Sequence, residues 1–117
     1  MEVLTHLETI TARDVFSGMK ENFDATAAAG VKAEIVYELT GEHSGVWVLR
    51  VDDGRLEVDE GFTNNHPNAT ISMSSDDFVQ VALGRLNPMT AFMSGKIKIK
   101  GDLLMAQKFQ KFFRQPK

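Results

Sequence analysis

The period of the apolar residues changes near Gly30, and this change constrains the fold more than any other feature of the chain. Before it, apolar residues recur three or four positions apart, as on one face of an α-helix: Ala12, Val15, Phe16, Met19 and Phe23. After it, they alternate with polar residues, as in a half-buried strand: Ala33, Ile35, Tyr37 and Leu39. Thr11 and Asp14 form a capping-box pattern at the start of the helical segment, with Asp in place of the usual Glu. A helix therefore leads into a sheet.

Three further strands are predicted from the segments that follow. Residues 46–51 are almost continuously apolar, and Asp53-Gly54 separates them from residues 55–59, where apolar and charged residues alternate. Asp-Gly is a strong signal for a two-residue hairpin, so these two strands should be antiparallel neighbours. The fourth strand, residues 69–74, places its apolar side chains on one face: Ala69, Ile71 and Met73.

The remaining sequence alternates helix signals with one short strand. The serine pair at residues 74–75 can cap a helix, and Asn87-Pro88 can start another, because Asn caps well and Pro suits the first helical position. Lys and Ile alternate over residues 96–100, which indicates a half-buried strand, and Asp102 can cap a last helix. The predicted order is α-β-β-β-β-α-α-β-α, which is an α+β fold.

Length and composition predict one domain. The 117 residues are 43% hydrophobic and 25% charged, and we place the domain at residues 11–117 after a lead-in at residues 1–10. No apolar run approaches the roughly 18 residues of a membrane span. Glu2, His6 and Glu8 interrupt the segment where a secretory signal would need an apolar centre, so we expect a cytoplasmic protein.

No group of side chains has the spacing of a catalytic or metal site. His6, His43 and His66 fall in a terminus, a turn and a loop, and the absence of cysteine excludes thiol catalysis and thiolate metal sites. The paired aspartates are explained as turn and helix-start residues. The lysines of residues 96–100 lack the interleaved aromatic residues of RNA-binding strands. The sequence therefore predicts no enzyme, no cofactor, no metal and no nucleic-acid partner.

The net charge of -3 conceals a basic end. From Lys96 onward the chain carries seven Lys or Arg and one acid, whereas the preceding residues carry six bases and fifteen acids. Such an end can attract an anionic membrane surface, and four lysines are candidates for that contact: Lys96, Lys98, Lys100 and Lys111. The alternative is a solvated face that keeps a sheet edge soluble.

Soft and bulky side chains concentrate in residues 87–113, which hold three of the six Met and four of the eight Phe. Met adapts to irregular spaces, and Phe supplies a large apolar area with few rotatable bonds. On the last helix, Leu103 and Leu104 fall beside the stripe formed by Met105, Phe109 and Phe112. The concentration indicates either ordinary core or the wall of a space closed by movable side chains.

Residues 91–102 read AFMSGKIKIKGD, follow Asn87-Pro88 and run into LMAQKF at residues 104–109. This register of helix end, short basic strand and apolar helix resembles the C-terminal signature of the sterol carrier protein type 2 family. Upstream, the order of elements agrees with that family, including Trp47 in the second strand and the hairpin after it. The resemblance covers about residues 11–113.

The resemblance implies a curved five-stranded sheet with helices packed on one side, enclosing an apolar tunnel for fatty acyl chains, acyl-CoA or sterols. It implies a stand-alone, single-domain member that binds a long-chain apolar ligand without catalysis, with lipid transfer as one use of that binding. The alternative function is an accessory interaction module that assembles partners of a lipid-modifying pathway without carrying free ligand. We expect the ligand to lie between the sheet face and the helices, against these residues: Trp47, Leu49, Met73, Phe78, Leu83, Met89, Phe92, Met93, Leu104, Met105, Phe109 and Phe112.

Overall fold

The computed structural model describes residues 10–42, 44–61 and 66–113. Its elements are α1 (Ala12–Asn22), β1 (Lys32–Thr40), β2 (Gly45–Asp52), β3 (Arg55–Glu60), β4 (Ala69–Ser74), α2 (Ser75–Ala82), α3 (Pro88–Met93), β5 (Lys98–Gly101) and α4 (Leu103–Gln110). The predicted order of elements and the α+β class are confirmed. His6, His43 and nearly all of the predicted lead-in lie outside the described residues, so the domain limits of 11–117 stay a prediction.

The five strands form one mixed sheet in the order β3-β2-β1-β4-β5. The central strand β1 pairs antiparallel with β2 and parallel with β4, and the outer pairs β2–β3 and β4–β5 are antiparallel. The predicted hairpin turns at Asp53 and Gly54, whose φ angles of 47° and 84° are those that an Asp-Gly turn of this kind requires. The parallel return of β4 to the side of β1 brings the later helices over the same face as α1.

The helices cover one apolar face of the sheet, formed by buried alternating residues of three strands: Ala33, Ile35, Tyr37, Leu39, Trp47, Leu49, Val51, Ala69, Ile71 and Met73. Phe16 of α1 stacks on Trp47 with ring centroids 4.3 Å apart, and on Phe78 of α2 at 4.6 Å. On the opposite face, Arg50 donates hydrogen bonds to Glu34 at 2.9 Å and Asp59 at 2.6 Å. The main hydrophobic core therefore lies on the helix side.

The helices start at the predicted caps. In the predicted capping box, the backbone N–H of Asp14 donates to the Thr11 hydroxyl at 3.3 Å and the backbone N–H of Thr11 donates to the Asp14 carboxylate at 2.9 Å. Ser74, and not Ser75, caps α2, and Asp102 caps α4. These side chains satisfy N–H groups that have no partner within the helix.

Strand β5 begins at Lys98, two residues later than the predicted start at Lys96. The backbone N–H groups of Lys96 and Ile97 donate to the Ala91 carbonyl at 2.8 and 3.3 Å. Because these groups close the end of α3, they cannot also join the sheet.

We expect Phe16→Ala to lower the free energy of unfolding by about 3 to 5 kcal/mol, because it leaves a cavity between Trp47 and Phe78. Thermal and urea unfolding followed by circular dichroism measure this loss. Gly18→Ala is the control in the same helix, since an added Cβ there meets nothing within 4 Å and Ala favours helix by about 1 kcal/mol. Equal stability of the two variants would contradict the central role of the Phe16 stack.

Candidate ligand-binding cavities

Two mainly apolar cavities lie on the helix side of the sheet. The larger one, which we call the outer cavity, has a volume of about 540 Å³ and is bounded by α3, β5 and α4. Its lining residues are Asn87, Pro88, Met89, Phe92, Ile97, Ile99, Leu103, Ala106, Gln107, Gln110, Lys111 and Phe113. The smaller one, the inner cavity, has a volume of about 110 Å³ and is lined by Val15, Met19, Asn22, Tyr37, Met73, Phe78, Val81, Ala82, Gln110 and Phe113.

A helix cap and a strand alternation, both visible in the sequence, position the walls of the outer cavity. The Asn87 side chain accepts hydrogen bonds from the backbone N–H groups of Met89 and Thr90 at 2.9 and 3.1 Å, which fixes the start of α3. The alternation in and before β5 sends Ile97 and Ile99 to the helix side and the intervening lysine to the other face. Short, well-capped elements thus hold an apolar wall between them.

Two faces of helix α4 contact different parts of the molecule. Ala106 and Phe109 are buried in the core, and Phe109 belongs to the predicted stripe. Gln107 and Gln110 line the outer cavity. They share that face with Leu103, because residues four and seven positions apart lie on one side of a helix. Polarity identifies a non-core side chain but not the space that it faces.

The outer cavity carries a single cationic side chain among its lining residues, that of Lys111. The amide groups of Gln107 and Gln110 lie on the same helix and can donate or accept hydrogen bonds. The remaining wall is largely apolar. This arrangement suits an amphiphilic molecule whose chain contacts the apolar wall and whose polar end meets α4.

The inner cavity lies between α1, α2 and the centre of the sheet. The Tyr37 ring makes edge contacts with Phe16 at 5.9 Å and with Phe78 at 5.4 Å between ring centroids. Burial raises the pKa of the Tyr37 phenol well above its ordinary value, so this group is a neutral hydrogen-bond donor at all physiological pH values.

The two cavities share a wall formed by Gln110 and Phe113, which line both. The Phe113 ring is held by Phe23 at 5.5 Å and Phe109 at 5.4 Å. A continuous tunnel would require this shared wall to move, so the predicted tunnel stays a prediction.

Four of the expected ligand-contacting residues line a cavity. Met89 and Phe92 line the outer one, and Met73 and Phe78 line the inner one. The lining residues that were not expected from the sequence come from α1, the end of α2, the start of α3, β5 and α4, together with Tyr37. The Lys/Ile alternation indicated that Ile97 and Ile99 lie on the buried side of a strand. It did not indicate that this side faces a cavity.

The other expected residues lie elsewhere. Leu49, Phe109 and Phe112 are buried within the core, and Met105 packs against it from α4. Leu83 lies at the end of α2, outside both cavities. Met93 and Leu104 are exposed at 80% and 77% of their surface and line neither cavity.

Trp47 lies at a polar cleft rather than at either cavity. The Arg13 guanidinium lies 5.3 Å from its ring centroid and forms an ion pair with Glu60 at 3.0 Å. Trp47 therefore belongs to the aromatic stack with Phe16 and is a natural fluorescence reporter beside the ligand region.

The candidate membrane-contacting lysines separate in space. Lys98 and Lys100 pair across the sheet with Ser72 and Thr70 and extend on the face opposite the helices. Lys111 lines the outer cavity, and Lys96 lies in the connection between α3 and β5. Lys111 is therefore placed at the cavity, whereas Lys98 and Lys100 face away from it.

Within residues 10–42, 44–61 and 66–113, no group of three His, Asp or Glu side chains could hold a metal ion. Over the same ranges, no helix has the length and apolar content needed to cross a bilayer.

Comparison with known proteins identifies the family. The chain belongs to the SCP-2 sterol transfer family, whose family model matches residues 15–114. Domains of this family bind apolar lipid ligands and are generally non-catalytic, which defines the class of this protein. The resemblance described from residues 91–109 is confirmed.

A human relative, hydroxysteroid dehydrogenase-like protein 2, is 34% identical over 102 residues, which are 87% of this chain and 24% of the relative. The chain thus spans about a quarter of the length of the curated relatives that it matches first. The match is to one domain of a longer protein.

Solved structures confirm the fold. The sterol carrier protein domain 2 of Helicoverpa armigera superposes with a TM-score of 0.66 at 28% identity, over 83% of each chain. The sec-alkylsulfatase Pisa1 from Pseudomonas sp. superposes with a TM-score of 0.81 at 19% identity, over 94% of this chain and 17% of the sulfatase. At 19% identity, the superposition on Pisa1 shows only that the two share a fold.

Proposed function

We propose that the chain binds one long-chain apolar lipid, such as a fatty acid or acyl-CoA, in the outer cavity without chemical change. The observation that carries this proposal is the largely apolar cavity of about 540 Å³ with a lysine among its lining residues. Ligand pockets in proteins usually measure about 300 to 1,000 Å³ and combine an apolar lining with a few polar groups.

The size of the outer cavity favours an occupant. At about 24 cal/mol per Å³, a closed and empty cavity of this size would cost about 13 kcal/mol, which is comparable with the whole stability of a domain. The figure is an upper bound, because an opening admits water. A lipid chain would replace that water with apolar contacts.

The polar end of the lipid would lie at Lys111, with Gln107 and Gln110 as further hydrogen-bond partners. A carboxylate or phosphate pairs favourably with an ammonium group. Among the described lining residues there is no Ser, Cys, His, Asp or Glu, so the cavity lacks a nucleophile with its base. The composition of the wall supports binding rather than catalysis.

Lipid exchange would take place where the cavity meets a membrane surface. Met89, Met93, Leu103 and Leu104, which we call the rim patch, are the exposed large apolar residues of α3 and α4. Lys108 and Lys111 follow Leu104 by four and seven positions and so lie on its side of α4. Apolar side chains flanked by lysines suit an anionic bilayer surface.

Native mass spectrometry and lipid extraction of freshly purified protein test the proposed function. We expect a co-purified lipid or, for stripped protein, binding of fluorescent fatty acids at micromolar concentration. If no lipid is carried and fatty-acid, acyl-CoA and prenyl probes all fail at tens of micromolar, an accessory interaction module replaces this proposal.

Met89→Ala should weaken binding of cis-parinaric acid about five-fold, which corresponds to roughly 1 kcal/mol of lost apolar contact. Met93→Ala is the matched control on the same helix, because Met93 is exposed but lines neither cavity. Both variants should melt near the intact protein, since exposed substitutions usually change stability by about 0.5 kcal/mol or less. Equal loss of binding in both variants would show that the ligand does not occupy the outer cavity as proposed.

Neutralising Lys108 and Lys111 together should weaken binding to phosphatidylserine-containing vesicles by about 1 kcal/mol per lysine at low salt. The charge-matched control replaces Lys98 and Lys100 by Gln on the opposite face of the sheet. Vesicle co-sedimentation measures the binding of both double variants. The difference in binding between them should shrink at physiological salt, where the Debye length is about 8 Å. Equal effects of the two double variants would mean that net charge, and not the rim patch, governs membrane contact.

A further inference from the structure

Tyr37 is a polar residue in the centre of the apolar core. It is 6% exposed, and its neighbours across the sheet are Trp47 on β2 and Ile71 on β4. Phe16 and Phe78 hold its ring by edge contacts. It is the one tyrosine of the chain, whereas phenylalanine occurs eight times.

No hydrogen bond joins the Tyr37 hydroxyl to another described residue, and its oxygen is not among the fully buried side-chain atoms that lack a partner. The oxygen therefore keeps some open surface, and Tyr37 lines the inner cavity. Hydroxyl groups of largely buried residues nearly always have a partner, because losing water without a replacement is unfavourable. Phenylalanine would keep the ring contacts at this position without that cost. Core packing therefore accounts for the ring but not for the hydroxyl.

Tyr37 lines the inner cavity, and the composition of that cavity limits what can meet the hydroxyl. The side chains of Asn22, Tyr37 and Gln110 supply its polar groups, and none of its lining residues is Lys, Arg or His. An ionised carboxylate would be buried there without a counter-charge, which is strongly unfavourable. A neutral acceptor oxygen meets no such penalty.

The inner cavity, at about 110 Å³, is too small for a whole lipid and is separated from the outer cavity by Gln110 and Phe113. It can hold one end of a longer molecule if the shared wall moves. The anionic end of that molecule is suited to Lys111, which lies on the other side of the shared wall.

We infer that Tyr37 determines ligand specificity in the inner cavity by donating a hydrogen bond to a neutral oxygen on the far end of an otherwise apolar ligand. The chemical class is a ketone, ester or alcohol rather than a plain hydrocarbon tail. This inference rests on the proposed function and adds a second polar recognition point to it.

The test uses Tyr37→Phe and a matched pair of probes, dodecane and dodecan-2-one, which differ by one carbonyl oxygen. Their dissociation constants are measured by displacement of diphenylhexatriene, a hydrocarbon fluorophore that needs no hydrogen bond. The ratio of the two constants should change by about five- to ten-fold in the variant, to the disadvantage of the ketone, as expected for one neutral hydrogen bond. Comparing ratios cancels the different solubilities of the probes.

Met73→Leu is the matched control, because Met73 lines the same cavity without a hydrogen-bonding hydroxyl. It should change the affinities of both probes in the same direction and leave their ratio near that of the intact protein. A thermal melt of the ligand-free variants adds a second readout. Tyr37→Phe should melt at or above the temperature of the intact protein, because the hydroxyl that it removes has no protein partner.

An unchanged ratio in Tyr37→Phe, with diphenylhexatriene still bound, would overturn the role of Tyr37 and leave the proposed function standing. A melting temperature several degrees lower in Tyr37→Phe would also overturn it, since the hydroxyl would then have a structural partner. Failure of the intact protein to bind diphenylhexatriene or any lipid probe would overturn both proposals together.

Discussion

The contacts of Phe16 join the sheet to the helices, and the rest of the arrangement depends on them. Its ring touches Trp47 of β2, Tyr37 of β1 and Phe78 of α2, so one side chain of α1 connects three other elements. Aromatic rings bury a large area and have few rotatable bonds, which makes this cluster a rigid contact. The cluster closes the β1–β2 side of the helix layer, whereas the outer cavity lies at the β5 side of the sheet.

The two faces of the sheet carry different kinds of side chain. On the face opposite the helices, Val36 and Val48 are cross-strand partners and are buried, while Arg50 bridges Glu34 and Asp59 beside them. On the helix side, α3 and α4 are short and leave apolar surface at the outer cavity and the rim patch. The ion pairs of Arg50 and the exposed apolar residues of the rim patch therefore lie on different sides of the molecule.

The chemistry of the two cavities differs although they share a wall. The outer cavity has an ammonium group and amides from α4, and the inner cavity has a neutral phenol, two amides and apolar side chains. Charged groups lose more solvation than neutral ones in such surroundings, so the two spaces favour different ends of a ligand. Gln110 and Phe113, which belong to both, are the side chains whose movement would connect them.

The sequence by itself determined the elements, their caps, the apolar face of each strand and the family, because these depend on neighbours within a few residues and on a short continuous motif. It also indicated Met89, Phe92, Met73 and Phe78 as apolar residues near the ligand region. Only the tertiary structure decided that Leu49 and Phe109 are core, that Met93 and Leu104 face solvent, and that Gln107 lines a cavity. Periodicity reports which side of its own helix or strand a residue occupies. What lies opposite that side depends on distant segments, here on the return of β4 beside β1 and on the packing of α4 against β4 and β5.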